Sequence, residues 1–185
     1  MSLEVPPAIL KLSNDLNIKT DLVIESQEWH SLDTNFENYI THVVKSVLVF
    51  TGHTNNICSF QVSFLLTNDE TLKKLNKQYR NKDKTTNVLS FPYQGMTPDI
   101  SFIKANQNNQ YLGDVAISYE KILEESIHFE RTFIEHFTHI IVHSVLHLLG
   151  YDHVIDKDAE IMEGLENKIL DTLGFGKTYR NSFVS

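Results

Sequence analysis

The sequence predicts an α+β single domain in which a small mixed sheet of about four strands is packed by about five helices. Three observations carry this expectation. Segments with a strand period of two and segments with a helix period of 3.6 alternate along the chain, which then closes in a run of helical pattern. The length, 185 residues, suits one domain with a proper core and is short for two. Apolar content of 41% and charged content of 22% are those of a globular protein, and no apolar run approaches the roughly 20 residues a membrane span needs.

The elements follow in order. Residues 1–20, with Pro6 and Pro7, read as a loosely attached leader without a secretory or organelle signal: no positive stretch precedes the apolar residues, and Glu4 and Asp15 are present. DLVIES (21–26) is a first strand. Residues 34–52 carry Phe36, Ile40, Val43, Val44, Val47 and Leu48 at helical spacing, with Asp33 or Thr34 to cap the start and Gly52 to end it. SFQVSFLLT (59–67) alternates polar and apolar and is a strand. Asn68 is a good N-cap for the short helix of NDETLKKLNKQY, with Asp69 and Glu70 in its first turn. TNVLSFPY (86–93) is a strand stopped by Pro92. Residues 94–110 are a polar, irregular excursion, and YLGDVAIS (111–118) is a further strand. Tyr119 to Leu149 is helical with a break near His128, and a last helix runs from Asp156 to Leu173, ended by Gly174. The domain proper is thus expected at 21–176, with a C-terminal tail at 177–185.

The single cysteine, Cys58, excludes an intramolecular disulfide and suits a reducing, cytoplasmic setting. The net charge of −8 argues on its face against nucleic acid. The average hides a cluster. KKLNKQYRNKDK (73–84) holds six of the sixteen Lys and Arg residues: Lys73, Lys74, Lys77, Arg80, Lys82 and Lys84, opposed only by Asp83. Such a stretch is either a solvated helix face or a local anion-binding patch, since phosphate contacts depend on local charge more than on total charge.

The chemistry concentrates in HSVLHLLGYDH (143–153). Four residues along a helix turn the chain by about 400°, so His143 and His147 project from one face about 40° apart. Gly150 can adopt the left-handed conformation that ends a helix and bring His153 back toward the same point. Three neutral imidazoles plus one open position describe a catalytic zinc site, one ion per chain, although nickel or copper also suits three imidazoles. The spacing H-x3-H-x2-G-x2-H also matches the metal frame of metzincin peptidases. Their general base is missing: where H-E-x-x-H peptidases carry Glu, this chain has Ser144. A metal-activated water then points to hydrolysis, with the substrate to be read from elsewhere. His139, one turn earlier, is out of reach of the ion and is either core or a support behind a ligand. Asp152 can orient a ligand imidazole or make a turn, and Asp114 can serve as an acid/base group or simply begin a strand. Arg80 can clamp a phosphate with its planar fork. Met162, Leu165, Ile169 and Leu170 are core by spacing.

These residues carry a resemblance. HSVLHLLGYDH resembles the signature H-G-x-L-H-L-x-G-Y-D-H of the YbeY-type endoribonucleases, also called rRNA maturation factors. LNKQYRNKDKTTNVLSFP, YLGDVAIS and MEGLENKILDTLG resemble three further blocks of that family in the same order, so the likeness covers roughly residues 60–174 and leaves the first 57 matching in element order only. The resemblance implies a metal-dependent hydrolase acting on RNA, with roles in small-subunit (16S) rRNA 3′-end maturation and ribosome quality control. It implies His143, His147 and His153 as zinc ligands and Arg80 as a functional arginine at RNA phosphate, with Lys73, Lys77, Lys82 and Lys84 as further substrate-binding candidates. Asp114 and Asp152 remain candidates for acid/base work. RNA and the ribosome or its proteins are the expected partners, in the cytoplasm, with no membrane and no DNA. Two positions depart from the family pattern: Ser144 stands where the family has glycine, and Asn87 where it has aspartate. Two other functions fit the residues, a metalloprotease with a non-adjacent base and a non-catalytic ribosome-assembly factor with a structural metal.

Overall fold

The computed structural model describes residues 16–53, 59–93 and 109–175. The leader up to residue 15, Cys58, nearly all of the 94–110 excursion and the C-terminal tail lie outside these residues. Ten elements follow in chain order: β1 (Asn17–Ile24), α1 (Gln27–His30), α2 (Phe36–Phe50), β2 (Ser59–Thr67), α3 (Asp69–Arg80), β3 (Val88–Pro92), β4 (Gln110–Ser118), α4 (Tyr119–His128), α5 (Phe133–Leu148) and α6 (Asp156–Thr172). The four-stranded mixed sheet is as expected, with six helices rather than about five among the described residues. The sixth, α1, is too short for a periodic signal. β1 begins at Asn17, inside the stretch expected as leader.

The strand order is β1-β2-β4-β3. β1, β2 and β4 are parallel, and β3 runs antiparallel to β4 on an edge. Parallel neighbours need crossovers, and α1 with α2 supplies the one from β1 to β2. Side chains alternate across the sheet, so each strand divides its residues between two cores. Phe60, Val62, Phe64 and Leu66 of β2, with Val115 and Ile117 of β4, join the large core beneath α2 and α5. Leu89 of β3 and Ala116 of β4 face the other way and meet Leu72 of α3 in a smaller cluster.

α5 is the central pillar. Thr132 caps it, accepting from the backbone N–H of Glu135 while the Glu135 carboxylate accepts from the backbone N–H of Thr132. From His136 to Leu146 every residue is buried. A helix apolar nearly all round must be covered on all sides, and α2, α4, α6 and the sheet do so. The break expected near His128 falls at Glu130, whose φ of 54° turns the chain between α4 and α5.

One glycine is fixed by packing. Gly113 has φ of 138°, and a Cβ there would lie 2.2 Å from the carbonyl oxygen of Phe91 on β3. The register shifts just here, Gln61 pairing with Tyr111 but Val62 with Gly113, so Leu112 is the extra residue of a bulge. That bulge sets which side chains of β4 face which core.

α1 exists to deliver Trp29. Its indole is fully buried and donates from Nε1 to the Thr67 carbonyl at 2.9 Å. It packs against Phe36, Tyr119, Phe133 and Phe137 at centroid distances of 5.2–5.7 Å. Trp29→Ala therefore removes the largest core side chain and orphans a carbonyl. The expected loss is about 3–5 kcal/mol, read from urea unfolding.

Candidate metal centre and cleft

The C-terminal end of α5 and the turn after it build the site. Gly150, with φ of 88°, ends the helix; its N–H reaches the His147 carbonyl at 3.0 Å, and the Tyr151 N–H reaches that of Leu146 at 3.0 Å. The reversal returns His153 to the face carrying His143 and His147. One ring nitrogen from each of the three residues lies within 4.8 Å of the others, and this cluster could hold a metal ion. His143 is buried, His147 half-buried and His153 exposed, so one side of the cluster meets solvent.

The hydrogen bonds assign the tautomers. Nδ1 of His143 lies 2.7 Å from Oε1 of Glu166, and Nδ1 of His147 lies 2.9 Å from the Tyr151 carbonyl oxygen. Both partners only accept, so each imidazole donates from Nδ1, and when neutral carries a bare lone pair on Nε2. The two Nε2 atoms face each other at 3.1 Å. Two lone pairs at that distance repel unless a cation takes both. Two nitrogens each about 2.0–2.1 Å from one tetrahedral ion would sit about 3.3 Å apart, so the donor set fits a metal. Burial, and then the neighbouring His143, push the His147 imidazole down to about 4, which keeps it a neutral donor at pH 7.

Glu166 anchors the site from behind. It is buried on α6, where it accepts from His143 and, at 3.2 Å through Oε2, from Nε2 of His139. Burial pushes the carboxyl up, but the hydrogen bonds from His139 and His143 outweigh it and hold it at about 2. His139 is pushed down to about 4 by burial, against the pull of Glu166. His139 is thus both core and support, standing behind His143 and outside the three-histidine cluster. Glu166 has a sequence signal: with Met162, Ile169 and Leu170 it occupies positions i, i+4, i+7 and i+8 of the buried face of α6, a carboxylate where the pattern asks for an apolar residue.

The histidines open on a cleft of about 530 Å³, whose lining includes Val88, Ser90 and Pro92 of β3. Arg80 and Lys82 line it too. Asn81, with φ of 56°, ends α3 between them, and the Lys82 N–H closes back on the Asn76 carbonyl at 3.2 Å. The other basic candidates are placed elsewhere. Lys77 and Lys73 pair with Asp83 at 2.8 and 3.6 Å, Lys74 pairs with Glu70 at 2.6 Å, and Lys84 does not line the cleft. Asp152 does line it, but its Oδ1 accepts from the backbone N–H of His153 at 2.7 Å, which is turn chemistry rather than orientation of a ring. Asp114 is outside the cleft. It pairs in register with Ser63 and Phe91, so it shares their face of the sheet, opposite Ser90, and accepts from the Tyr111 hydroxyl at 2.7 Å. That placement sets Asp114 apart from the residues that line the cleft.

Two measurements test this arrangement. Glu166→Gln should keep the fold while weakening metal affinity by about 10–100-fold, read by competition with a colorimetric chelator. His139 and His147 both sit well below the ordinary histidine value of 6.5, at about 4. The unfolded chain therefore binds protons first, and metal-free protein should be stable above about pH 6.5 and lose stability as pH falls toward 4. Urea midpoints across that range check the sign.

Comparison with known proteins places the chain. The family model described as Endoribonuclease YbeY matches residues 23–174. A Sinorhizobium fredii protein named Endoribonuclease YbeY is 44% identical over 119 residues, which is 64% of this chain and 65% of that one. A Rhizobium leguminosarum protein of the same name is 44% identical over 119 residues, 64% of this chain and 66% of its own length. The matched stretch thus spans just under two thirds of these relatives. The solution structure of a Thermotoga maritima protein shares the fold, with a TM-score of 0.51 at 22% identity over 85% of this chain and 88% of that one. A match over residues 23–174, the span that contains the three histidines, Arg80 and Glu166, makes this chain a member of the YbeY endoribonuclease family.

Proposed function

We propose that the chain is a zinc-dependent endoribonuclease that cleaves single-stranded RNA, and that it acts in small-subunit rRNA 3′-end maturation and ribosome quality control in the cytoplasm. The observation that carries the reading is the pair of bare Nε2 atoms 3.1 Å apart, opening on a cleft that also holds Arg80 and Lys82. His143, His147 and His153 would hold the ion. A zinc ion held by them would supply a bound water with its pKa lowered toward 7 and a Lewis acid for a phosphoryl oxygen. Arg80 and Lys82 hold the phosphodiester and offset charge that builds as the P–O bond breaks. Glu166 and the Tyr151 carbonyl keep two imidazoles turned with Nε2 toward the ion. The group that protonates the leaving oxygen is unassigned; Asp152 is the acid in the cleft. Lys73, Lys77 and Lys84 extend the positive surface away from the cleft, where a longer strand or ribosomal RNA would lie.

The metalloprotease alternative must take its base from another segment, because the residue after the first histidine supplies none. Ser144 is fully buried, and its hydroxyl donates to the Ile140 carbonyl at 2.6 Å, so it is spent on the helix backbone. The assay pairs a single-stranded ribosomal RNA fragment with casein, each with and without chelator. RNA cleavage should be chelator-sensitive and casein should stay intact; the opposite result overturns the proposal. His147→Ala should lose bound zinc and more than about 100-fold of the cleavage rate. Arg80→Ala should keep one metal per chain and its melting temperature while kcat/KM falls by roughly 100-fold.

A further inference from the structure

Asn87, which stands where the family pattern has aspartate, is part of the cleft wall with Arg80 and His143. Its side chain is held from behind. Asn87 Nδ2 donates to Oε2 of Glu125, on α4, at 2.9 Å. The same oxygen lies 2.7 Å from Nε2 of His136, on α5. A carboxylate only accepts, so His136 must donate, and the carboxamide must point its nitrogen at Glu125 and its oxygen away. His136 is buried at 1% exposure. Its Nδ1 meets no partner among the described residues, so the ring is tied to its surroundings through Glu125. Burial raises Glu125, but the hydrogen bonds from His136 and Asn87 outweigh it and hold the carboxyl below its ordinary value, an ionised acceptor at pH 7. The backbone of Asn87 is fixed as well, its carbonyl accepting from the Ser118 N–H at 3.0 Å. Three elements therefore converge to orient one neutral amide.

The chemistry of position 87 explains the arrangement. A carboxylate there would set two anions against each other, which requires a shared proton or a different direction for the side chain. A carboxamide gives Glu125 the donor it needs and leaves no net charge facing an anionic substrate. What remains for the cleft is an amide oxygen and a second N–H. A ribose hydroxyl can donate to the first, and a phosphate oxygen can accept from the second.

We infer that Glu125, backed by His136, is a positioning residue of the cleft: it fixes the carboxamide of Asn87 so that Asn87 contacts the sugar–phosphate backbone of the bound RNA strand. This rests on the nuclease reading. One oriented hydrogen bond of this kind should appear in substrate binding rather than in the chemical step, because Asn87 offers neither a charge nor a proton to the reacting atoms.

The test uses full-length, zinc-loaded protein and a labelled single-stranded RNA oligomer, with binding and steady-state cleavage both measured. Glu125→Ala should retain one metal per chain and raise KM by roughly 5–10-fold, the loss of about one hydrogen bond, with kcat within about twofold. Asn87→Ala should raise KM to the same extent and add nothing in combination with Glu125→Ala. Glu125→Gln is the conservative rescue: its amide oxygen can stand in the place of Oε2 and accept from both Nδ2 of Asn87 and Nε2 of His136, so it should bring KM back to within about twofold of wild type. An unchanged KM in Glu125→Ala, or a KM in Glu125→Gln as high as in Glu125→Ala, overturns the inference while wild-type cleavage leaves the nuclease reading standing. If Glu125→Ala does not fold, Asn87→Ala decides, and a wild-type KM in that variant is fatal to the inference. Wild-type protein that neither binds nor cleaves the oligomer overturns the nuclease reading and this inference together.

Discussion

Two imidazole Nε2 atoms held 3.1 Å apart, each ring donating from its other nitrogen, are the constraint around which this site is organised. Between two neutral rings such a contact is unfavourable by itself. It persists because each ring is fixed from its far side, His143 by Glu166 and His147 by the Tyr151 carbonyl. Those two fixings recruit most of the second half of the chain. Glu166 requires α6 to lie along α5; the Tyr151 carbonyl requires the reversal at Gly150. The repulsion is the cost of preparing a cation site before the cation arrives.

Holding a buried carboxylate behind the histidine cluster is expensive unless its lone pairs are used. Glu166 meets this with two imidazole donors. Glu125 repeats the solution nearer the start of α5, with His136 and the Asn87 amide. α5 therefore carries His136, His139, His143 and His147, but divides the first three between two acids on two neighbouring helices. One acid backs His143 of the histidine cluster, and the other backs Asn87 of the cleft wall.

Much of this was legible in the sequence where local pattern and tertiary structure agree. SFQVSFLLT alternates cleanly because β2 is flanked on both sides and buries one face under α2 and α5, and its ends match the expected strand. Asn68 caps α3 as expected, accepting from the Thr71 N–H at 3.0 Å. The histidine spacing implied a converging trio, and the rings do converge. What stayed hidden depends on distant pairs. Glu166 lies 23 residues from His143, and only the packing of α6 on α5 joins them. The basic cluster looked uniform, yet Lys73 and Lys77 of α3 share Asp83 while Arg80 and Lys82 reach the cleft, a division set by the left-handed turn at Asn81. Asp114 looked available because β4 was readable as a strand, but the side it faces follows from the bulge at Leu112. α1 was invisible because four residues give no period, although Trp29 packs against four aromatic rings in the core.

The close approach of Gly113 to the Phe91 carbonyl reaches further than the bulge it accompanies. It acts as a key between the edge strand and its neighbour: sliding β3 by one residue pair along β4 would drive a side chain into that carbonyl. Because Val88, Ser90 and Pro92 line the cleft, the key also gauges how far that wall stands from the histidines. The width of the cleft on that side is thus set by sheet register, and the rest of its lining comes from the chain after α3 and after Gly150.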